Sequence, residues 1–570
     1  MVERPCPEGV DRLAREADIP PLLARLYAAR GIRSASELDL SLGALPDPGG
    51  LPGMDEAVAL LRRARQAGTR ICIVGDYDAD GATSTAVLVK GLTLLGFPTP
   101  DHLVPDRFTL GYGLTAELVD LAVRRHPRPE LIVTVDNGIA AHEGVLAARR
   151  QGMEVLVTDH HLPGPTLPEA AAILNPRIAA SPTPFDALAG VGVAFFLLAA
   201  LRRALRDAGE LPPDGGAALV ELLDLVALGT VADVVPLDPV NRALVRQGIA
   251  RMRAGRARPG IAALAAVAGR ALERLVAADL GFALAPRLNA AGRLEDMSEG
   301  IACLLAEDDA SARGLAERLD ALNAERREIE ADMRAEALAA AERLALDGAL
   351  PPGLCLFDPG WHAGVVGIVA ARVKDRVHRP VVAFAPDGQG ALRGSARSIR
   401  GLHVRDAIAA VASRHPALVT RFGGHAMAAG LTLPAAHFET FAAAFGEEVG
   451  RHLDASALGA EFVTDGELAS AELDLATALL IERAGPWGQG FPEPEFHGCF
   501  EVISSRVVGE AHLRLELRAG ARRLPAIAFG AVEAGWSTPP SPVRIVYRPV
   551  VDRYRGDARL QLQVRHLEAG

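Results

Sequence analysis

Residues 71–84, ICIVGDYDADGATS, decide how the rest of the chain is read. Ile71 to Val74 is a short, unbroken apolar run of the kind that fills a parallel strand buried on both faces. Gly75 ends it, Asp76, Asp78 and Asp80 follow at every second position, and a helical pattern runs from Thr83 to Leu95. Three carboxylates in five residues repel one another unless something positive sits among them. A hard divalent cation is the ordinary partner for such a set. Taken alone, the stretch also reads as a solvated acidic turn.

Three later stretches weigh against that bland reading. The apolar runs Leu131–Val135 and Val155–Val157 lead directly into Asp136-Asn137-Gly138 and Asp159-His160-His161, and Asp233 in LGTVADVVPL follows the apolar run Leu222–Leu228. With helical stretches between them, these runs predict an alternating α/β region from Met54 onward. Its sheet is parallel, and its ligands lie beyond the carboxyl ends of the strands. A lone Asp-Asn-Gly is commonly just a turn. Four acid or imidazole clusters at equivalent strand ends predict one shared site. The mixed oxygen and nitrogen donors suit Mn²⁺ or Mg²⁺ rather than structural zinc, and two-metal hydrolysis is the chemistry expected of them.

The whole chain is compatible with several ordinary globular domains. It has 570 residues, 49% apolar and 23% charged, which is ample for large cores. The net charge of −11 excludes a uniformly basic surface but not a local basic channel. Lys90 and Lys374 are the only lysines, so nearly every cation is an arginine, always charged and able to grip phosphate in a bidentate way. Five scattered cysteines with no CxxC pair fit a reducing compartment without disulfides or structural zinc. The opening MVERPCPEG lacks a basic and apolar leader, and the longest apolar run, Ala187–Leu201, is too short to span a bilayer; a soluble, cytoplasmic protein is expected.

Further segments carry side chains that are candidates for holding phosphate or substrate. DRFTLGYGL (106–114) offers Arg107 and Tyr112, which also read as incidental residues of a surface loop. FALAPRLNAAGRLEDM (282–297) places Arg287, Asn289 and Arg293 around a Gly-containing turn, and such donors can grip phosphate. Residues 308–346 read as one long helix with a single apolar stripe and a charged face, linking two lobes. Beyond the PPG at 351–353, a second lobe holds His362, Gly364 and Gly367 in GWHAGVVGIVAARVKDR, then Ser395 and Arg397 in LRGSARSI, a credible anion pocket. RFGGHAMAAG (421–430) is a glycine-rich turn carrying Gly423, Gly424 and His425, read equally well as a tight turn with a surface histidine. From Arg506 on, eleven arginines face six acids, and HLRLELRAG, VRIVYRPVV and RLQLQVRHL alternate as strands do. With Phe529, Trp536, Tyr547 and Tyr554 interspersed, this segment predicts an OB-type barrel tracking single strands by charge and stacking, although some of these aromatics belong to its core.

GDYDADGATS, VDNGI, TDHH and GTVADVVP resemble the first four motifs of the DHH phosphoesterase superfamily. With the later segments in order, residues 50–565 are similar to its family of bacterial single-strand-specific 5′→3′ DNA exonucleases. The resemblance implies an N-terminal segment (1–50), a parallel-sheet DHH domain (51–305) and a connecting helix (306–350). A DHHA1 substrate lobe (351–453) and an OB-type barrel (454–570) complete the expected order. It implies metal ligation by Asp78 and Asp80, Asp136 bridging two Mn²⁺ or Mg²⁺ ions, and His160 and Asp233 on the second ion, with Asp76 an extra ligand. Asp159 would orient the histidine pair and His161 would face the scissile phosphate. Many relatives carry a histidine two residues before the first of these acids; here that position is Val74, which leaves the first ion's ligand set the least fixed. The implied activity is removal of mononucleotides from the 5′ end of single-stranded DNA in recombination and repair, with single-strand-binding protein and a RecQ-type helicase as partners. Two other readings remain: a phosphodiesterase for oligoribonucleotides or cyclic dinucleotides, against which the basic C-terminal segment speaks, and an inert DNA-binding scaffold, against which the full ligand set speaks.

Overall fold

The computed structural model describes residues 1–106, 110–212, 214–346, 350–388, 390–453, 461–532, 535–553 and 556–570. Arg107 and Tyr554 lie outside the described residues. The chain forms two compact units. One comprises Met1–Gly292, Asp296–Asp320 and Phe462–Gly570; the other comprises Arg293–Glu295 and Ala321–Glu461.

The sheet of the first unit contains β1 (Ile71–Val74), β2 (Asp101–Leu103), β3 (Leu131–Val135), β4 (Glu154–Thr158) and β5 (Ala172–Leu174). All are parallel, in the order β2-β1-β3-β4-β5. The chain leaves β1 toward one edge and returns to β3 on the other side. The carboxyl ends of β1 and β3 therefore flank the crevice where doubly wound sheets bind ligands. Register brings the ends together: Val74 pairs with Thr134, and Val135 with Thr158. β1 and β3 are buried at every position, as their unbroken apolar runs require.

The helix after β1 runs from Ala79 to Leu94, four residues earlier than its apolar pattern indicates. Asp78 is its N-cap, with its side chain accepting from the Asp80 and Gly81 amides. Most of this helix is buried, and small residues allow it: a Cβ on Gly229 would lie 2.1 Å from Thr83 Oγ1, and one on Gly91 2.1 Å from Leu198 Cδ1. The run Leu222–Leu228, expected as a strand, is helix (Leu223–Ala232), with Asp233 as its C-cap. A short, uniformly apolar run carries no period, so strand and buried helix look alike in sequence.

In the second unit β6 (Leu354–Phe357), β7 (Val381–Pro386), β8 (Ala391–Arg397), β9 (Arg421–Gly424) and β10 (Ala428–Pro434) form a mixed sheet ordered β9-β10-β8-β7-β6. Only β6 and β7 pair in parallel. One face packs on helices Val404–Arg414 and Phe438–His452, the other on Val366–Val377 and on Met333, Ala337 and Ala341 of the long helix Asp309–Leu346. Gly423 and Gly424, expected in a turn, are strand residues opposite Gly430 and Ala429, and only His425 begins the turn proper. A Cβ on Gly424 would lie 2.4 Å from Ala429 Cα, so close strand approach explains this glycine.

The C-terminal strands β11 (Phe496–Val508), β12 (His512–Ala519), β13 (Arg522–Ala528), β14 (Val543–Asp552) and β15 (Arg559–Ala569) close into a barrel of order β11-β12-β13-β15-β14. The parallel β13–β15 pair completes an OB-type path. Leu513, Leu515, Leu517, Ile545 and Leu562 fill it, and so does Tyr547. Phe529 is exposed, whereas Arg506, Arg514 and Arg523 line an open surface pocket of about 420 Å³ on the first three strands.

Phe441 is fully buried between Phe384 and Phe445, with ring centroids 5.7 and 5.8 Å away. Phe441→Ala is expected to lower stability by about 3–5 kcal/mol, read by denaturant unfolding of the full chain.

Candidate metal centre

Four loops converge at the β1–β3 crevice. Asp76 leaves β1 and accepts a hydrogen bond from the Tyr77 amide (2.7 Å). Gly81 presses so closely on this turn that a Cβ would lie 2.5 Å from the Asp76 carbonyl oxygen. Asp136 follows β3 in a left-handed conformation (φ 60°), and Gly190 packs against it with room for no Cβ, which would sit 2.7 Å from Asp136 Cβ. Asn137 spans the crevice, donating to the carbonyls of Val74 (3.1 Å) and Val135 (2.8 Å), which ties the ends of β1 and β3 together.

Asp159 organises the next loop. One oxygen accepts from the Ile139 amide; the other accepts from the amides of His160 and His161 and lies 2.7 Å from His161 Nδ1. His160 is turned the other way, with Nε2 3.0 Å from Asp136 Oδ1 and 3.6 Å from Asp233 Oδ2. Adjacent residues at a strand end face opposite sides, so the two histidines divide between inward and outward positions. Asp80 is fully buried, and its carboxylate accepts from the amides of Gly190 (2.6 Å) and Val191 (2.9 Å) at the start of helix Gly190–Asp207. The positive end of that helix thus offsets part of the local charge.

Three groups of ligand atoms each lie within 4.8 Å of one another: Asp76, Asp78 and Asp136; Asp80, His160 and Asp233; Asp136, His160 and His161. Asp136 and His160 each belong to two of them. His160 Nε2 and Asp136 Oδ1 are buried and make no hydrogen bond despite their proximity. Buried polar atoms are normally satisfied. A donor set of carboxylates and imidazole, with two such orphaned atoms facing each other, fits a divalent oxygen-seeking ion.

Burial and then the charge of Asp78 push Asp80 up to about 7. Burial and then Asp80 hold both Asp136 and Asp233 well above the usual carboxylate range. Burial and then His161 push His160 down to about 3, leaving it neutral, as a ligand must be. For His161 burial acts downward, but the hydrogen bond and charge of Asp159 outweigh it and raise the net value. Burial acts upward on Asp159, and the same partnership outweighs it in the other direction.

The other expected site residues divide. Tyr112 donates to the Asp136 carbonyl (3.2 Å) and meets His161 edge-on at 6.2 Å between ring centroids. Asn289, expected as a phosphate donor, accepts from the Ala79 amide through its side-chain oxygen (2.8 Å), holding the acidic turn from behind. Gly292 of the same helix lies against Tyr77, where a Cβ would be 1.8 Å from its carbonyl oxygen. Arg287 is bound to Asp320 (2.7 Å) and to the Ala283 carbonyl. In the second unit, Arg293 donates to the Gly364 carbonyl, and His362 Nδ1 accepts from the Gly364 amide. Arg397 is partly buried beside Ser395 (3.0 Å), with Gly367 against both, and no carboxylate pairs with it among the described residues. Gly423, Gly424 and His425 sit on the β9–β10 hairpin. Asn137 and the Gly190 and Val191 amides escaped the sequence reading. The Asn lay inside a turn motif, and the amides belong to a helix start marked only by Gly190 and Gly192.

Asp80, Asp136, Asp233 and His161 are all displaced upward, so the folded chain holds protons that the unfolded chain releases sooner, and the metal-free fold loses stability as pH rises through about 7, the value for Asp80. His160 and Asp159, displaced downward, act only at lower pH. Thermal unfolding in chelator is therefore expected at falling temperatures as pH rises from about 6.5 through about 7. Asp136→Asn should flatten the slope and Mn²⁺ should oppose it.

The DHH family N-terminal domain matches residues 70–230, the DHHA1 domain residues 351–451 and the RecJ OB domain residues 464–566. The chain is 52% identical to the single-stranded-DNA-specific exonuclease RecJ of Salmonella typhimurium, covering 96% of this chain and 95% of that protein. It is also 52% identical to the RecJ of Escherichia coli, over 97% and 96%. The fold matches the crystal structure of Thermus thermophilus RecJ in complex with Mn²⁺, with a TM-score of 0.83 and 32% identity over 100% of this chain and 79% of that one. A second structure of the Thermus protein contains Mg²⁺ (TM-score 0.76, 30% identity, over 100% and 78%). With three domain matches and about half of its residues shared across nearly its whole length, the chain belongs to the RecJ family of single-stranded-DNA-specific exonucleases.

Proposed function

We propose that the chain hydrolyses single-stranded DNA stepwise from its 5′ end, releasing mononucleotides, with two Mn²⁺ or Mg²⁺ ions at the β1–β3 crevice. The observation that carries this reading is the facing pair of orphaned buried atoms, His160 Nε2 and Asp136 Oδ1, inside a ring of carboxylates. Asp76, Asp78 and Asp136 would hold one ion, and Asp80, Asp136, His160 and Asp233 the other. Bound there, the ions would activate a water at neutral pH and neutralise charge on the leaving oxygen. His161, whose protonated form Asp159 favours, would donate to the scissile phosphate, and Asp159 would fix its direction. Tyr112, with its hydroxyl on the Asp136 carbonyl, would limit the space beside His161.

In the second unit, Arg397 with Ser395 near the start of helix Val366–Val377 would hold the terminal 5′ phosphate. A partly buried guanidinium without a carboxylate is suited to an anion that arrives with substrate. Within the second unit, His362, Arg293, His425 and the Gly423–Gly424 backbone would contact further phosphates, and within the first unit the barrel arginines would bind single-stranded DNA. We extend this proposal to a role in recombination and repair, in the cytoplasm and alongside single-strand-binding protein and a RecQ-type helicase. No helix among the described residues is long and apolar enough to cross a membrane.

With Mn²⁺ and a single-stranded oligonucleotide labelled at its 3′ end, the expected product is a ladder shortening from the 5′ end, abolished in Asp136→Ala. Preference for short RNA would replace this reading with an oligoribonucleotide phosphodiesterase, and strand binding without cleavage would replace it with a scaffold. Arg397→Ala should raise KM on a 5′-phosphorylated strand by about 10-fold or more, the size of one lost charge-assisted contact of 1.5–3 kcal/mol, and erase the preference over a 5′-hydroxyl strand.

A further inference from the structure

The Pro/Gly-rich loop GPWGQGFP (485–492) precedes the barrel, and nothing in the proposed mechanism uses it. It packs on the segment that carries Asp233. Gln489 accepts from the Leu237 amide (2.7 Å). A Cβ on Gly488 would lie 2.7 Å from Leu237 Cδ1, and one on Gly490, whose φ is +71°, 3.2 Å from Pro236 Cβ. Phe491 lies under the Arg242 guanidinium at 4.0 Å and stacks on Trp487, with ring centroids 5.2 Å apart.

Asn241, beside Arg242 and fully buried, joins two backbones. Its Nδ2 donates to the Pro236 carbonyl (2.9 Å) and to the Ala187 carbonyl (2.6 Å). Pro236 lies three residues after Asp233. Ala187 precedes Leu188, whose backbone hydrogen-bonds the His160 ring, and Gly190 and Val191, whose amides hold Asp80. One side chain therefore ties the segment behind Asp233 to the segment that orients both His160 and Asp80. Those three residues are the members of one ligand group.

We propose that Asn241 is a positioning residue for the metal site, and that the Gly485–Pro492 loop holds it in register by bracing Pro236 and Leu237. This inference rests on the proposed metal-binding reading. It assigns to the loop at the barrel's entrance the job of fixing the spacing between Asp233 and the His160–Asp80 pair.

The test is calorimetric titration of MnCl₂ into the metal-free full chain, without substrate, for the wild type, Asn241→Ala and Gly488→Ala. Leu567→Ala in the barrel core serves as a control for lost stability alone. Asn241→Ala is expected to bind Mn²⁺ about 10- to 100-fold more weakly, the usual effect of losing a group that orients ligands. Gly488→Ala should shift binding the same way by less, and Leu567→Ala should not shift it. Anisotropy of a single-stranded oligonucleotide in chelator should be unchanged in all. Wild-type Mn²⁺ affinity in folded Asn241→Ala would overturn the inference, as would an equal loss in Leu567→Ala. If Asn241→Ala does not fold, unchanged affinity in Gly488→Ala overturns it. A wild type that does not bind Mn²⁺ would instead remove the metal-binding reading beneath it.

Discussion

Six aspartates, Asp76, Asp78, Asp80, Asp136, Asp159 and Asp233, are gathered at or beside the end of one parallel sheet, and the cost of holding like charges there governs the rest of the first unit. Each available countermeasure is present. The start of helix Gly190–Asp207 faces Asp80, His161 faces Asp159, and Asp78 caps the helix it precedes. What remains uncompensated is the inner face, where Asp136 and His160 meet without a hydrogen bond. A site left in this condition is built for a charge that arrives from solution, and its backbone must be rigid enough to resist its own repulsion.

That rigidity comes from backbone groups rather than from further charges. Asn137 joins β1 to β3, Asn289 holds the turn between Asp78 and Asp80, and Asn241 joins the loops behind Asp233 and His160. Three neutral amides therefore fix three of the approaches to the site. An amide can hold a backbone without adding charge, whereas another acid would increase the repulsion and an arginine would pair with the carboxylates themselves.

Much of this was legible in the sequence where chemistry and chain position coincide. Asp76 to Asp80, Asp136, His160 and Asp233 announced a shared site because acids at the ends of apolar runs have few structural uses. Secondary structure was clear where period existed, as in the barrel strands, and obscure at Leu222–Leu228, where uniform hydrophobicity hides it. Roles were less legible where one side chain can serve two purposes. Asn289 beside two arginines looks like a phosphate donor; its carbonyl also accepts from Ala79, and Arg287 also pairs with Asp320. Asn241 gave no signal, since an asparagine just inside a helix start, after Asp238 and Pro239, already has a local explanation.

The pairing of the chain's beginning with its far end has its own consequence for biogenesis. Val2 and Glu3 pair with Val463 and Thr464, and the Arg30 guanidinium, with no side-chain exposure, is held by Asp465. Asp465, Trp487 and Pro492, which pair with and cover Arg30, all come from the late part of the chain, so Arg30 loses its water and gains its counter-charge together. The second unit is encoded entirely between Arg30 and Asp465 and its contacts are local to it, so it can condense first. The first unit is completed only when the last fifth of the chain joins it.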